Sequence, residues 1–191
     1  VGDLRFNVLN FWAVVLGAAV VPPVGRLIDR LGTRATLGLV AGALGASVLL
    51  MARVTAEWQL AVTLTLVRGF GQGALSVVAI ALVGKWFRRR AGPAMGAFTV
   101  LLGVGFVVPL AAVQGVVTTS GWRAGWEVIG FALLFGLVPL GLLVARSSPE
   151  AVGVTPDDPA PAAGRPPVMT VRQAVRTPAF WVWTAAATGF N

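Results

Sequence analysis

Charge is missing from long stretches of this sequence. Phe6–Gly25 runs for 20 residues without a charged side chain, Ala35–Ala52 for 18, Ala91–Trp122 for 32 and Val128–Ala145 for 18. Trp58–Gly84 runs for 27 residues with a single internal cation, Arg68, and Thr177–Asn191 begins one more such run. An α-helix needs about 20 apolar residues to cross the roughly 30 Å hydrocarbon core of a bilayer. The runs are too long for membrane barrel strands, and they lack the polar–apolar alternation such strands require. The expected fold class is therefore all-α, a polytopic membrane helix bundle. Five spans are expected near residues 7–25, 35–52, 58–84, 94–117 and 124–145, with the start of a sixth near 179.

Composition supports this reading and removes competing ones. The chain is 57% hydrophobic and only 12% charged, against about 45–50% and 25% in soluble domains. Its net charge of +8 would suit a nucleic-acid binder, but a basic groove needs a solvated protein to carry it, so no nucleic-acid partner is expected. The sequence has no Cys and no His. That excludes disulfides, thiolate nucleophiles, imidazole catalysis and the usual zinc sites. No paired carboxylates, phosphate-cradling loop or metal cluster appears, so neither catalysis nor a cofactor has candidate residues.

The basic residues alternate from loop to loop. Eleven of the 15 fall in the first and third connections between spans or in the long polar segment after the fifth span. Arg5, Arg53 and Arg123 fall at the opposite side, and Arg68 lies within a span. By the positive-inside rule the cation-rich side is cytoplasmic, as expected for a multi-pass protein of the cell (inner or plasma) membrane. Residues 1–145 are read as the spans and 146–178 as a cytoplasmic linker rich in Pro and small or acidic residues, with a short amphipathic surface helix at 170–176. Residues 179–191 begin the next helix. Val1 follows no basic segment with a cleavage site and the last run stops short of crossing, so the chain is expected to be part of a longer one.

Two positions carry charge where charge is costly or patterned. Arg68 lies about ten residues into its span, close to mid-bilayer, where an arginine costs about 2.5–3.5 kcal/mol on insertion scales. Three readings remain open for it: contact with an anionic substrate group or a part in ion coupling, a structural bond to a neighbouring helix, and snorkelling to the interface. The first connection, Gly25-Arg26-Leu27-Ile28-Asp29-Arg30-Leu31-Gly32-Thr33-Arg34, reads as a tight basic turn between two helices. Glycines also recur at four-residue spacing within spans, at Gly38/Gly42, Gly69/Gly73 and Gly92/Gly96, a pattern that lets helix backbones approach closely. Gly103, Gly105 and Pro109 are candidates for bending the fourth span.

The first connection resembles the G-x-L-x-D-R-x-G-x-R signature of the major facilitator superfamily, with Gly25, Asp29, Arg30, Gly32 and Arg34 on signature positions. In that family the signature joins the second and third helices. The resemblance implies that residues 1–145 are helices two to six of an incomplete N-terminal bundle. It further implies a conformational latch at Gly25, Asp29, Arg30, Gly32 and Arg34, which opens when the two halves of the transporter rock apart. Trp86-Phe87-x-x-Arg90-x-Gly92-x-Ala94-x-Gly96, then Gly103, Gly105 and Pro109, resembles the monocarboxylate-porter and oxalate/formate-antiporter branch. So do Gly121-Trp122-Arg123, Pro149-Glu150-x-x-Gly153 and Thr177-Pro178-x-Phe180-Trp181. The adjacent Gly-Pro of drug/proton antiporters is absent from the fourth span, where Gly105 and Pro109 are four apart.

The implied function is alternating-access transport of a small organic anion such as a monocarboxylate. Arg68 would be the anion contact, and the lipid bilayer, the substrate and a coupling proton the candidate partners. A drug or metabolite exporter of the same superfamily is the first alternative, separated by whether carboxylates or lipophilic cations stabilise the protein. A non-transporting membrane protein or truncated gene product is the second. If the latch holds, Asp29→Asn in the complete protein reduces transport while membrane insertion, followed by fractionation, stays at the parent level. Unchanged transport would remove the latch.

Overall fold

Two glycines set the course of the backbone. The computed structural model describes residues 3–87, 91–146, 153 and 176–178. In chain order it has α1 (Asp3–Ala18), α2 (Val21–Ala52), α3 (Glu57–Val67), a π-helical segment (Arg68–Leu75), α4 (Ser76–Trp86), α5 (Ala91–Phe131), a second π-helical segment (Ala132–Leu137) and α6 (Val138–Val144). Within α2, Gly32 has φ 79° and ψ 164°, and within α5, Gly121 has φ 84° and ψ 169°. That region is essentially closed to residues with a Cβ.

Contacts show that the chain reverses at both points. Residues 3–31 run parallel to 57–86, since Arg5 meets Glu57, Gly17 meets Gly69 and Val21 meets Gly73. Residues 33–52 run antiparallel to 57–86, since Thr33 meets Lys85, Leu44 meets Gly71 and Met51 meets Thr63. The segments on either side of Gly32 are therefore antiparallel to each other. Gly125 lies against Val117 and Val113, the mark of the same reversal at Gly121. The described residues thus form five spans, at 3–31, 33–52, 57–86, 91–120 and 122–144. Stretches 4–52, 57–86 and 92–144 are apolar and long enough to cross a membrane, and the turns divide the first and third of them.

Apart from the fourth, the spans run longer than the charge-free segments. Helix continues through Arg26, Asp29 and Arg30, because charged residues are tolerated in a helix once it leaves the hydrocarbon. The first connection, expected as a ten-residue turn, is accordingly helical apart from the reversal at Gly32. The turn expected over Val117–Trp122 likewise contracts to Gly121. In the first span the helix tightens at Ala19 and Val20, whose N–H groups donate to Leu16 and Gly17 oxygens at 3.1 Å. Pro22 and Pro23 follow, and neither has an N–H to return to the carbonyls of Ala18 and Ala19.

Packing differs sharply between spans. Val24, Ile28, Val40, Ala74 and Val78 form a buried core among the first three spans. The second and fifth interlock by setting leucines over four glycines: Leu142 on Gly38, Leu134 on Gly45, Leu49 on Gly130 and Leu37 on Gly141. The fourth span is exposed from Thr99 to Ala112. The close packing expected at Gly92 and Gly96 finds no neighbour within 4 Å, nor does that at Gly42, and the bending candidates Gly103 and Gly105 also face open space. Pro109 lies in a helix whose sole non-helical residue is Gly121, so the chain stays helical through it.

Residues Val1–Asp158 form one compact unit and Pro159–Asn191 another. Most of the expected linker at 146–178 lies outside the described residues, as do nearly all of the surface helix at 170–176 and the further helix at 179–191.

The glycine contacts differ in what they tolerate. A Cβ at Gly17 would lie 2.9 Å from the Gly69 nitrogen and 3.3 Å from the Thr65 oxygen, both backbone atoms, whereas a Cβ at Gly103 meets nothing. Gly17→Ala is expected to cost about 1–3 kcal/mol of overpacking. Gly103→Ala should be neutral, or stabilising by up to about 1 kcal/mol. Thermal unfolding in detergent compares the two.

Candidate functional site

Arg68 opens the π-helical segment Arg68–Leu75. Its sequence, Arg68-Gly69-Phe70-Gly71-Gln72-Gly73-Ala74-Leu75, combines weak helix formers with a close neighbour. Gly69 sits against Gly17 and Val20, and Gly73 against Val21, so two helix backbones touch where the third span departs from α-helical bonding. Such π segments are frequent at functional sites because the wider turn redirects side chains. At 1.5 Å per residue Arg68 lies roughly 16 Å from Glu57 and 27 Å from Trp86 along the span, well inside the apolar stretch.

The half-buried guanidinium is held from two sides. Its Nη2 donates to Asn10 Oδ1 of the first span at 2.9 Å, and its Nη1 donates to Gln72 Oε1 one turn further along its own span at 3.2 Å. Both acceptors are neutral amides. A guanidinium has five N–H donors in a planar fork, so three remain beyond these two bonds. Among the described residues no carboxylate lies within 4.0 Å of Arg68, where Arg5–Glu57 is the ion pair present. The positive charge is therefore oriented but not neutralised, which leaves it able to receive an anion. Of the three sequence readings, the structural bond to a neighbouring helix is made, through the side chain of Asn10.

In the sequence Asn10 is one polar residue within an apolar run, with nothing local to single it out. Its pairing with Arg68 spans 58 positions and depends on the register of two helices, which no local pattern reveals. Gln72 is likewise inconspicuous in its glycine-rich surroundings. The four-residue spacing from Arg68 was the one signal available for it, since residues i and i+4 share a helix face.

The signature residues around the first turn are placed differently. Asp29 and Arg30 are exposed and have no hydrogen-bond or ion-pair partner among the described residues. Gly25 lies inside a helix with open space where a Cβ would stand, while Gly32 makes the turn. Thr36 Oγ1 donates to the Gly32 oxygen at 2.9 Å. Buried Thr33 accepts a hydrogen bond from Lys85 Nζ at 2.9 Å. Arg34 Nε donates to the Leu142 oxygen at 2.6 Å, one of the carbonyls that the end of a helix leaves without an intrahelical partner. Arg34 and Lys85 thus tie the second span to the fifth and third at one end of the bundle. Arg68 and this turn are separate sites within the fold.

Comparison with known proteins bears on the whole arrangement. The sequence profile of the Major Facilitator Superfamily matches residues 6–191. Monocarboxylate transporter 14 of Mus musculus is 28% identical over 143 residues, which is 74% of this chain. The match covers 28% of that relative's own length, so this chain spans well under half of it.

The two-sided hold on Arg68 generates its own expectation. Asn10→Leu leaves Nη2 without its acceptor in a half-buried setting, at a cost of about 1–3 kcal/mol. A lowered unfolding temperature in detergent, with helix content by circular dichroism unchanged, is the expected result.

Proposed function

The chain belongs to the Major Facilitator Superfamily, and from that premise we propose that the protein carries a small organic anion, monocarboxylate-like, across a cell membrane by alternating access. In this mechanism two bundles rock about a site near the bilayer midplane. Arg68 is the group that meets the anion. The observation that carries this reading is the hold on its guanidinium by Asn10 and Gln72, both neutral, with donors to spare and no carboxylate in contact among the described residues. A planar fork with free N–H groups matches a carboxylate in a bidentate arrangement. The name of the mouse relative favours the same substrate class.

The roles of the other residues follow from their places in the fold. Asn10 and Gln72 orient the fork before substrate arrives, so little side-chain freedom is lost on binding. The glycines Gly69 and Gly73 let the first and third spans lie close enough for Asn10 to reach Arg68. At the Gly32 turn, Asp29 is exposed and without a partner among the described residues, which leaves it free to pair in one transport state and release in the other. The end of the bundle that carries Gly32 and Lys85 faces the cytoplasm in this proposal, in accord with its excess of cations.

Uptake of a labelled monocarboxylate into proteoliposomes of the complete protein tests the proposal. A charge-assisted hydrogen bond contributes about 1.5–3 kcal/mol. Arg68→Ala should therefore lower uptake at subsaturating substrate by at least about tenfold. Arg68→Lys keeps the charge but loses the fork and should recover only part of it. Retained uptake with ordinary saturation in Arg68→Ala would overturn the assignment.

A further inference from the structure

At the end of the bundle opposite the Gly32 turn, the second and fifth spans part to leave an open groove of about 370 Å³. Its walls are apolar, with Leu49 and Leu50 from one span and Phe131 and Leu134 from the other. Two charges of opposite sign, Arg53 and Glu127, line the same groove. The spans are antiparallel here, since Leu49 packs on Gly130 and Arg123 Nη2 donates to the Val54 oxygen at 3.3 Å. That register places Arg53 and Glu127 within about one helical turn of each other along the axis, ~5 Å. Yet they form no ion pair, and among the described residues neither side chain has a hydrogen-bond partner. Both are exposed. Beside them the Arg123 guanidinium lies 4.1 Å over the Trp122 ring, an aromatic–cation pair of the kind that settles at the level of lipid headgroups.

An unpaired cation and an unpaired anion at one level, above an apolar trough, match a zwitterion with a hydrocarbon tail. We propose that this groove binds a phospholipid with a primary-amine headgroup, such as phosphatidylethanolamine. Its phosphate accepts hydrogen bonds from Arg53, its ammonium donates to the Glu127 carboxylate, and one acyl chain lies along Leu49, Leu50, Phe131 and Leu134. The pairing selects among lipids. A choline headgroup has no N–H to give to Glu127. A glycerol headgroup satisfies Arg53 but brings no cation to Glu127. The site is independent of Arg68 and of the nature of the transported molecule.

Native mass spectrometry of the complete protein, released from detergent with added lipids of matched acyl chains, tests the assignment. The unmodified protein should retain phosphatidylethanolamine over phosphatidylcholine and phosphatidylglycerol by about two- to fivefold, the range of a solvent-exposed charge pair. Glu127→Gln should abolish the preference for ethanolamine over choline, and Arg53→Gln should weaken retention of all three lipids. Both side chains are exposed, so parent-level helicity by circular dichroism is expected in each variant, and the lipid comparison in the unmodified protein needs no variant. Equal retention of the ethanolamine and choline lipids would overturn the proposal, as would retention of the glycerol lipid on a par with ethanolamine. A preference that survives Glu127→Gln, or a second copy of the chain that displaces lipid from the groove, would also overturn it.

Discussion

The backbones of the first and third spans touch where Gly17 meets Gly69, and the register of that contact sets the rest of the site. With no side chain on either residue, a Cβ on Gly17 would stand 2.9 Å from the Gly69 nitrogen, closer than real Cβ atoms approach. Once the two spans lie in this register, Arg5 faces Glu57, Asn10 reaches Arg68, and Thr33, just past the turn, reaches Lys85. Within a bilayer, helices gain little from burying apolar surface against one another, because lipid tails are equally apolar. Close van der Waals fit and a few directional bonds carry the association, so a glycine contact at mid-span has leverage over everything on the same pair of helices.

Arg68 shows what that leverage serves. A cation inside a membrane span is expensive unless its donors find acceptors. A carboxylate partner would lower the cost, and it would also cancel the charge. Two amide oxygens satisfy part of the hydrogen-bonding capacity and leave the charge in place. The π segment that begins at this residue adds a local departure from α-helical bonding, sustained by the fit of Gly69 and Gly73 against the first span. Cost, geometry and availability of the charge all meet in the same eight residues.

The second and fifth spans solve the packing problem by a different device. Leucine side chains stand over glycines in both directions, Leu49 on Gly130 and Leu134 on Gly45 toward one end, Leu142 on Gly38 and Leu37 on Gly141 toward the other. Arg34 fastens one end through the Leu142 carbonyl, and Arg123 fastens the other through the Val54 carbonyl. Cations at the two ends of the bundle thus serve as hydrogen-bond donors to backbone carbonyls at helix ends. Between these fastened ends the two helices part enough to expose Arg53 and Glu127 beside an apolar groove.

Helical class, the five spans of the described residues and the end of the bundle where cations gather were legible in the sequence, because each follows from the length of apolar runs and from which residues interrupt them. Arg68 was legible as a candidate for the same reason, since it is the sole charge in its run. The signature residues around Gly32 were legible as a pattern, though the pattern alone suggested a longer turn than the one-residue reversal that forms. The tertiary structure decided the rest: Asn10 as the partner of Arg68, which small residues make contact (Gly17, Gly45 and Gly130 do, while Gly96, Gly103 and Gly105 do not), and the pairing of Arg34 and Lys85 across spans. The physical reason is one of range. Burial in a bilayer is a property of each segment and can be read from its own residues. Register between segments depends on where two surfaces fit at the scale of an ångström, and residues 58 positions apart carry no mark of it until the helices are side by side.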